Sequence, residues 1–180
     1  MNVGTVSGRS CELAEALDRR RVAYVRYRRR GGPVTSSLAP YAGCSEEAKD
    51  EVWTLLDEKT AEVPSEDAVV IAGDLNGHVG SAKDGHSCHG DFGYGARNVD
   101  GGRILEYTDP HNLIIANTAS RKRDAHLVSF YSGSTKTQID FILVKHRDRE
   151  VTDAKEVPYD TAASHSTVHW YALLSSHLRS

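Results

Sequence analysis

Hydrophobic and polar positions in this chain switch between a helical period and an extended one, and the switches mark the elements. Ser7 to Arg21 has helical spacing, with Leu13 and Leu17 four apart as the buried stripe. Ser10 suits the cap, Glu12 and Glu15 the early turns, and Arg19 to Arg21 the C-terminal end. Val22 to Tyr27 then reads as a short strand and Arg28 to Pro33 as a basic Gly-Pro loop. Val34 to Leu38 forms another short strand closed by Ala39-Pro40. The clearest helix runs from Ser45 to Val63, with Ser45 as N-cap and Glu46 and Glu47 facing the helix dipole. Ala48, Val52, Leu55, Leu56 and Lys59 recur along it at helical spacing.

The helix feeds an apolar strand, Ala68 to Ala72, which runs into Gly73-Asp74-Leu75-Asn76-Gly77-His78. Such an order of elements points to layered α/β architecture. Gly77 to Gly102 has no periodicity and reads as one long surface loop with a role at the site. Arg103 to His111 predicts a short helix curtailed by Pro110, and Leu113 to Asn117 a buried strand. Leu127 to Tyr131 and Gln138 to Val144 read as strands of a hairpin with a long loop, Ser132 to Thr137. Val151 to Val157 and Thr167 to Leu174 are further strands.

Composition adds limits. With 180 residues, one domain spanning 1–180 is the expectation. No apolar run approaches a membrane span, and Met1 to Thr5 lacks a signal-peptide core, so no membrane partner is expected. Cys11, Cys44 and Cys88 are odd in number and scattered, which fits a reduced intracellular protein, cytoplasmic or nuclear, without a disulfide-linked partner. The net charge of -3 does not mark a nucleic-acid binder, but seven arginines between Arg19 and Arg30 are compatible with one. A solvated or disordered arm is the better account of them.

Three pieces carry chemistry. Asp74 and Asn76 lie two apart after a buried strand, so extended geometry puts both on one face, suited to a water or a phosphate ester. A turn in which both only tie up backbone groups is the alternative. Asp140 sits within the apolar strand Gln138 to Val144 and needs a partner, for which His165 in Ser164-His165-Ser166 is the natural candidate. An Asp that orients a His, beside a second Asp that takes a proton from water, is a general acid–base arrangement. A zinc module of His78, His86, Cys88 and His89 has suitable donors, but the spacing fits no common template, and surface histidines account for it better. Trp53 and Trp170 are expected in the core.

In this order and spacing the pieces resemble the endonuclease/exonuclease/phosphatase superfamily. Asp74 to Gly80, Gly93 to Asn98, Ile114 to Thr118 and Gln138 to Phe141 are similar to the craniofacial development protein 2-like group, related to endonuclease domains of non-LTR retrotransposons. The resemblance implies a deoxyribonuclease-I-like α/β sandwich of mixed, mainly antiparallel sheets with outer helices. It implies a Mg²⁺-dependent phosphodiesterase, endonuclease-like, acting on nucleic acid such as DNA. Asp74 would position or deprotonate the attacking water, Asn76 would orient water and phosphate, and His165, oriented by Asp140, would contact the scissile phosphate. Asn2 would lie near the Mg²⁺ site.

The chain departs from that pattern at two positions that matter for catalysis, and more mildly at Ser164, where the superfamily often has Asp before the site His. The family's metal-binding Glu ends its second strand, yet no Asp or Glu occurs between Asp18 and Glu46. The family's phosphate-contacting Tyr precedes an Ala-Pro pair, where this chain has Leu38. The resemblance therefore implies a copy incomplete in its first sheet, lacking family segments before residue 1 and between about 25 and 33. A non-catalytic relative that binds nucleic acid or a protein partner is the competing expectation.

Overall fold

Two apolar strands form the centre. In the computed structural model, described over residues 21–27, 33–40, 45–65, 67–145, 151–157 and 169–174, β3 is Ala68–Asp74 and β7 is Asp140–Lys145. Side chains are described for 45–65 and 67–145. β1 (Arg21–Tyr27), β2 (Pro33–Pro40) and β4 (Leu113–Ile115) join them in a five-stranded sheet, in the order β2-β1-β3-β7-β4. Every pairing in that sheet is antiparallel. The fold is mixed α/β.

Helix α1 (Glu46–Ala61) and helix α2 (Val99–Thr108) cover one face of the sheet. Val69 and Ile71 of β3 and Phe141 and Leu143 of β7 meet Val52, Trp53 and Leu56 of α1 and Ile104 and Leu105 of α2 in one core. The intervening residues Val70, Ala72, Ile142 and Val144 are buried too, on the opposite face. Burial on both faces explains why β3 and β7 read as continuous apolar runs rather than alternating ones.

Ser45 caps α1, its side chain accepting from the Ala48 amide at 3.3 Å. The buried stripe of α1 is Lys49, Val52, Trp53, Leu56 and Thr60, whereas Leu55 is exposed and Ala48 and Lys59 are half-buried. Lys49 enters the stripe because its ammonium reaches Glu46 at 2.8 Å and Asp100 of α2 at 3.4 Å. Its hydrocarbon stem can then pack while its head stays paired. Thr60 enters through a 2.7 Å hydrogen bond with the Tyr107 hydroxyl.

Among the boundaries that differ from the sequence expectations, three change the picture. The second helix begins at Val99 rather than Arg103, capped by Asn98, so Gly101 and Gly102 are helical and not part of the loop. Gly101 is there because a Cβ would lie 1.7 Å from the His78 carbonyl oxygen: only glycine lets the loop lie against the helix. The expected long hairpin is instead a tight one, β5 (Phe130–Ser132) against β6 (Thr135–Thr137), turning at Gly133 with φ +58°. Its partner in the expectation, Gln138 to Val144, supplies β7 of the main sheet instead. The strand expected over Leu113 to Asn117 ends at Ile115 and becomes a 3-10 turn, Ala116–Thr118.

β8 (Val151–Val157) and β9 (His169–Leu174) pair antiparallel. Residues 7–20 of the expected first helix and 28–32 of the expected basic loop lie outside the described residues, as do Cys11 and Cys44, whereas Arg21, expected to end that helix, opens β1, and Pro33, expected to end that loop, opens β2. No helix among the described residues is long and apolar enough to cross a membrane.

Candidate functional site

The ladder between β3 and β7 sets Asp74 directly opposite Asp140 at one end of the sheet. Directly opposed residues of an antiparallel pair project to the same side. Parity with Val70, Ala72, Ile142 and Val144 puts both carboxylates on the face away from the helices. Asp74 is the last residue of its strand, not a residue beyond it, and is only 6% exposed; Asp140 is half-buried. The two acids found separately in the sequence therefore share one edge.

Asn76 does not follow the extended geometry expected of it. Its φ is +49°, in the left-handed region that Asn tolerates, so it does not alternate with Asp74. Its amide instead donates to Asp74 Oδ1 at 3.0 Å, which closes an Asx turn. The turn fixes one carboxylate oxygen of Asp74. Asp74 thus bonds backbone, as the turn alternative expects, and it also faces a second acid.

Polar side chains that sequence reasoning passed over position the β7 end. Ser129 Oγ accepts from the amides of Ile139 at 2.9 Å and Asp140 at 3.2 Å. Asn117 Oδ1 accepts from the Ile142 amide at 2.7 Å. Asn117 stands out in the sequence as a polar residue closing the apolar run Leu113 to Ala116, a signal that could have been used. Both amide atoms of Gln138, two residues before Asp140, are buried without a hydrogen-bond partner among the described residues, as is Asn117 Nδ2. The expected site residues His165 and Asn2 lie outside the described residues.

The segment from Gly77 to Asn98 is ordered by its own polar side chains. Asn98 Oδ1 accepts from the amides of His78 and Gly101, each at 2.8 Å, joining loop start to helix start. Arg97 donates to the carbonyls of Val79 at 3.0 Å and Ala82 at 3.1 Å. The motif residues Arg97 and Asn98 thus hold the loop that leaves Asp74.

The histidines of this loop are not all at the surface, where the sequence reading puts them. His89, expected at the surface, is 2% exposed. Its Nδ1 accepts from the Asp91 amide and its Nε2 reaches the Gly80 carbonyl, each at 3.1 Å, so the ring is the neutral Nε2–H tautomer. Burial holds its pKa below that of free imidazole, with the Arg97 charge acting in the same direction. The reason for the error is that backbone groups satisfy both nitrogens and so permit burial.

His86 and Cys88 do come together, at Asp109, which caps the C-terminal end of α2. Asp109 Oδ2 accepts from His86 Nδ1 at 2.8 Å, and Oδ1 from Ser87 Oγ and the Cys88 amide, each at 2.8 Å. Burial would raise the Asp109 pKa, but these hydrogen bonds outweigh it and hold it down at about 2. Burial, assisted by Asp109, pushes the Cys88 thiol up to about 12.

Craniofacial development protein 2 of Tragulus javanicus is 35% identical to this chain over 98 residues, covering 53% of this chain and 17% of that protein. The protein of the same name from Bos taurus is 35% identical over 98 residues, covering 53% of this chain and 16% of that protein. The chain thus spans about a sixth of the length of these curated relatives. The likeness over about half the chain supports a related family. No family model matches the chain, and no solved structure matches it.

Proposed function

We propose that this chain carries the acid–base half of a phosphodiesterase site of the endonuclease/exonuclease/phosphatase type, directed at nucleic acid. The observation that supports this reading is the register that sets Asp74 opposite Asp140 at a sheet end. The likeness to craniofacial development protein 2 is consistent with it.

In this reading Asp74, with Oδ1 oriented by the Asn76 backbone amide, takes a proton from the attacking water. Asn76 orients water and phosphate. Asp140, its backbone fixed by Ser129, orients His165, which donates hydrogen bonds to the scissile phosphate. Mg²⁺ commonly binds through one or two carboxylates, with water and phosphate oxygens completing its shell. One carboxylate is the least that requirement asks, and in this reading Asp140 supplies it on the face it shares with Asp74, with Asn2 as a further donor. When bound, the ion would neutralise phosphate charge and stabilise the leaving oxygen.

A second reading has its own observation: no Asp or Glu lies between Asp18 and Glu46, where the resembled family keeps its metal-binding Glu. On that reading the chain binds nucleic acid or a protein partner without cleaving. Nicking of supercoiled plasmid separates the two. The first expects Mg²⁺-dependent nicking that EDTA abolishes and that falls at least ~10²-fold in Asp74→Asn protein. Nicking unchanged by EDTA and by Asp74→Asn would sink it, and plasmid binding without nicking would support the second.

A further inference from the structure

We propose that His86, Cys88 and Asp109 form a binding site for a thiophilic divalent cation of the zinc class, distinct from the Asp74–Asp140 edge. The donor atoms of the three side chains all lie within 4.8 Å of one another. A tetrahedral ion needs its donors a little over 3 Å apart, roughly 1.6 times the metal–ligand distance, so a side-chain shift of about 1 Å closes the site. His86 Nδ1 and Asp109 Oδ2 are already 2.8 Å apart.

Four features go beyond proximity. First, the two oxygens of Asp109 are differentiated: Ser87 Oγ and the Cys88 amide hold Oδ1, leaving Oδ2 turned to His86. Hydrogen bonds to the non-ligating oxygen are the outer-shell support that orients a metal-binding carboxylate. Second, the backbone carrying the donors is fixed. The His86 amide donates to the Lys83 carbonyl at 3.0 Å, and the Cys88 carbonyl accepts from Ile115 of β4 at 2.9 Å. Third, the site has a way in. His86 and Asp109 side chains are 28% and 27% exposed, while the sulfur donor belongs to a residue 2% exposed. A water can then complete the coordination.

Fourth, charge and softness match. Thiolate, neutral imidazole and carboxylate carry two negative charges, which a divalent ion cancels in a half-buried position. A thiolate and an imidazole select zinc-like ions over Mg²⁺. The ion takes the place of the proton on Cys88 Sγ, which leaves to solvent, while His86 stays neutral with its proton on Nε2 and Nδ1 free to ligate. Bound there, it would clip the loop that leaves Asp74 to the end of α2.

Cobalt substitution tests this, because a thiolate bound to Co²⁺ gives a near-ultraviolet charge-transfer band. The full chain, stripped with EDTA and titrated with Co²⁺, is expected to show that band at about one equivalent, and Zn²⁺ is expected to abolish it. Cys88→Ser keeps a hydroxyl to donate to Asp109 but removes the sulfur, so the band disappears while circular dichroism stays unchanged. A Cys11→Ser/Cys44→Ser double variant keeps the band, and His86→Ala weakens Co²⁺ at least ~10-fold. Absence of the band in the native chain overturns the proposal, as does its persistence in Cys88→Ser protein. Should Cys88→Ser fail to fold, loss of the band in the Cys11→Ser/Cys44→Ser protein would overturn it equally.

Discussion

Asp74 and Asp140 stand directly opposite each other in the β3–β7 ladder, two acids on the same face of one sheet edge. Like charges in that relation repel, and the 6% exposure of Asp74 weakens screening. Asp74→Asn and Asp140→Asn each remove the same repulsion, so their effects on stability are expected not to add. Urea denaturation of the two single variants and the double variant should show a coupling of at least ~0.5 kcal/mol, the double variant gaining less than the sum. Asp74→Asn with Glu58→Gln, on the exposed side of α1, should add. An additive Asp74–Asp140 pair would mean that the carboxylates do not sense each other.

Neighbouring glycines in the first turn of α2 should respond in opposite directions. A Cβ at Gly101 would meet the His78 carbonyl at 1.7 Å, while one at Gly102 meets nothing within 4 Å among the described residues. Gly101→Ala is expected to cost more than ~3 kcal/mol or prevent folding, because backbone must move. Gly102→Ala is expected to gain ~0.5–1 kcal/mol of helix propensity. Thermal unfolding of the pair decides it, and a Gly101→Ala protein as stable as the native chain refutes the close approach.

These glycines also show where sequence reasoning reaches its limit. Residues with one dominant local cause were legible: Ser45 as a cap, and the apolar runs of β3 and β7 as buried strands. Gly101 and Gly102 read as loop because glycine disfavours helices, yet a tertiary contact 23 residues away in sequence, with His78, sets the choice at Gly101. The pairing of Asp74 with Asp140 was legible as two separate acids but not as a register, which depends on strands 66 residues apart. Asn76 was misread because its left-handed φ follows from the turn it closes, which spacing does not reveal. Asp109 drew no attention at all; its partners His86, Ser87 and Cys88 reach it only once α2 has folded.

Gln138 presents a case where removing polarity should help stability. Its amide is buried with neither atom partnered among the described residues, and an unsatisfied buried amide costs about 1–3 kcal/mol. Gln138→Met keeps the length of the side chain and leaves no other group orphaned. The expected result is a higher urea midpoint at unchanged m-value, worth ~1 kcal/mol. If the amide serves the site beside Asp140, plasmid binding falls in the same variant. A lower midpoint would show that the amide is satisfied in solution.

His89 should make the chain lose stability as pH falls through the range where free imidazole titrates. Burial and the Arg97 charge keep its folded pKa below the free value of 6.5, although the Gly80 carbonyl, Asp91 and Asp84 pull the other way. The unfolded chain therefore takes up the proton first, and stability rises with pH wherever that difference exists. The contribution is complete above 6.5 and is lost progressively as pH falls from there toward the folded value. His89→Gln keeps an N–H for the Gly80 carbonyl but cannot titrate, so its melting temperature should change less between about pH 7.5 and pH 5.5 than that of the native chain. The other histidines are common to both proteins and cancel in the comparison. Parallel profiles over that interval would show that His89 is protonated as readily in the fold as outside it, and the neutral tautomer bound between Gly80 and Asp91 would be wrong.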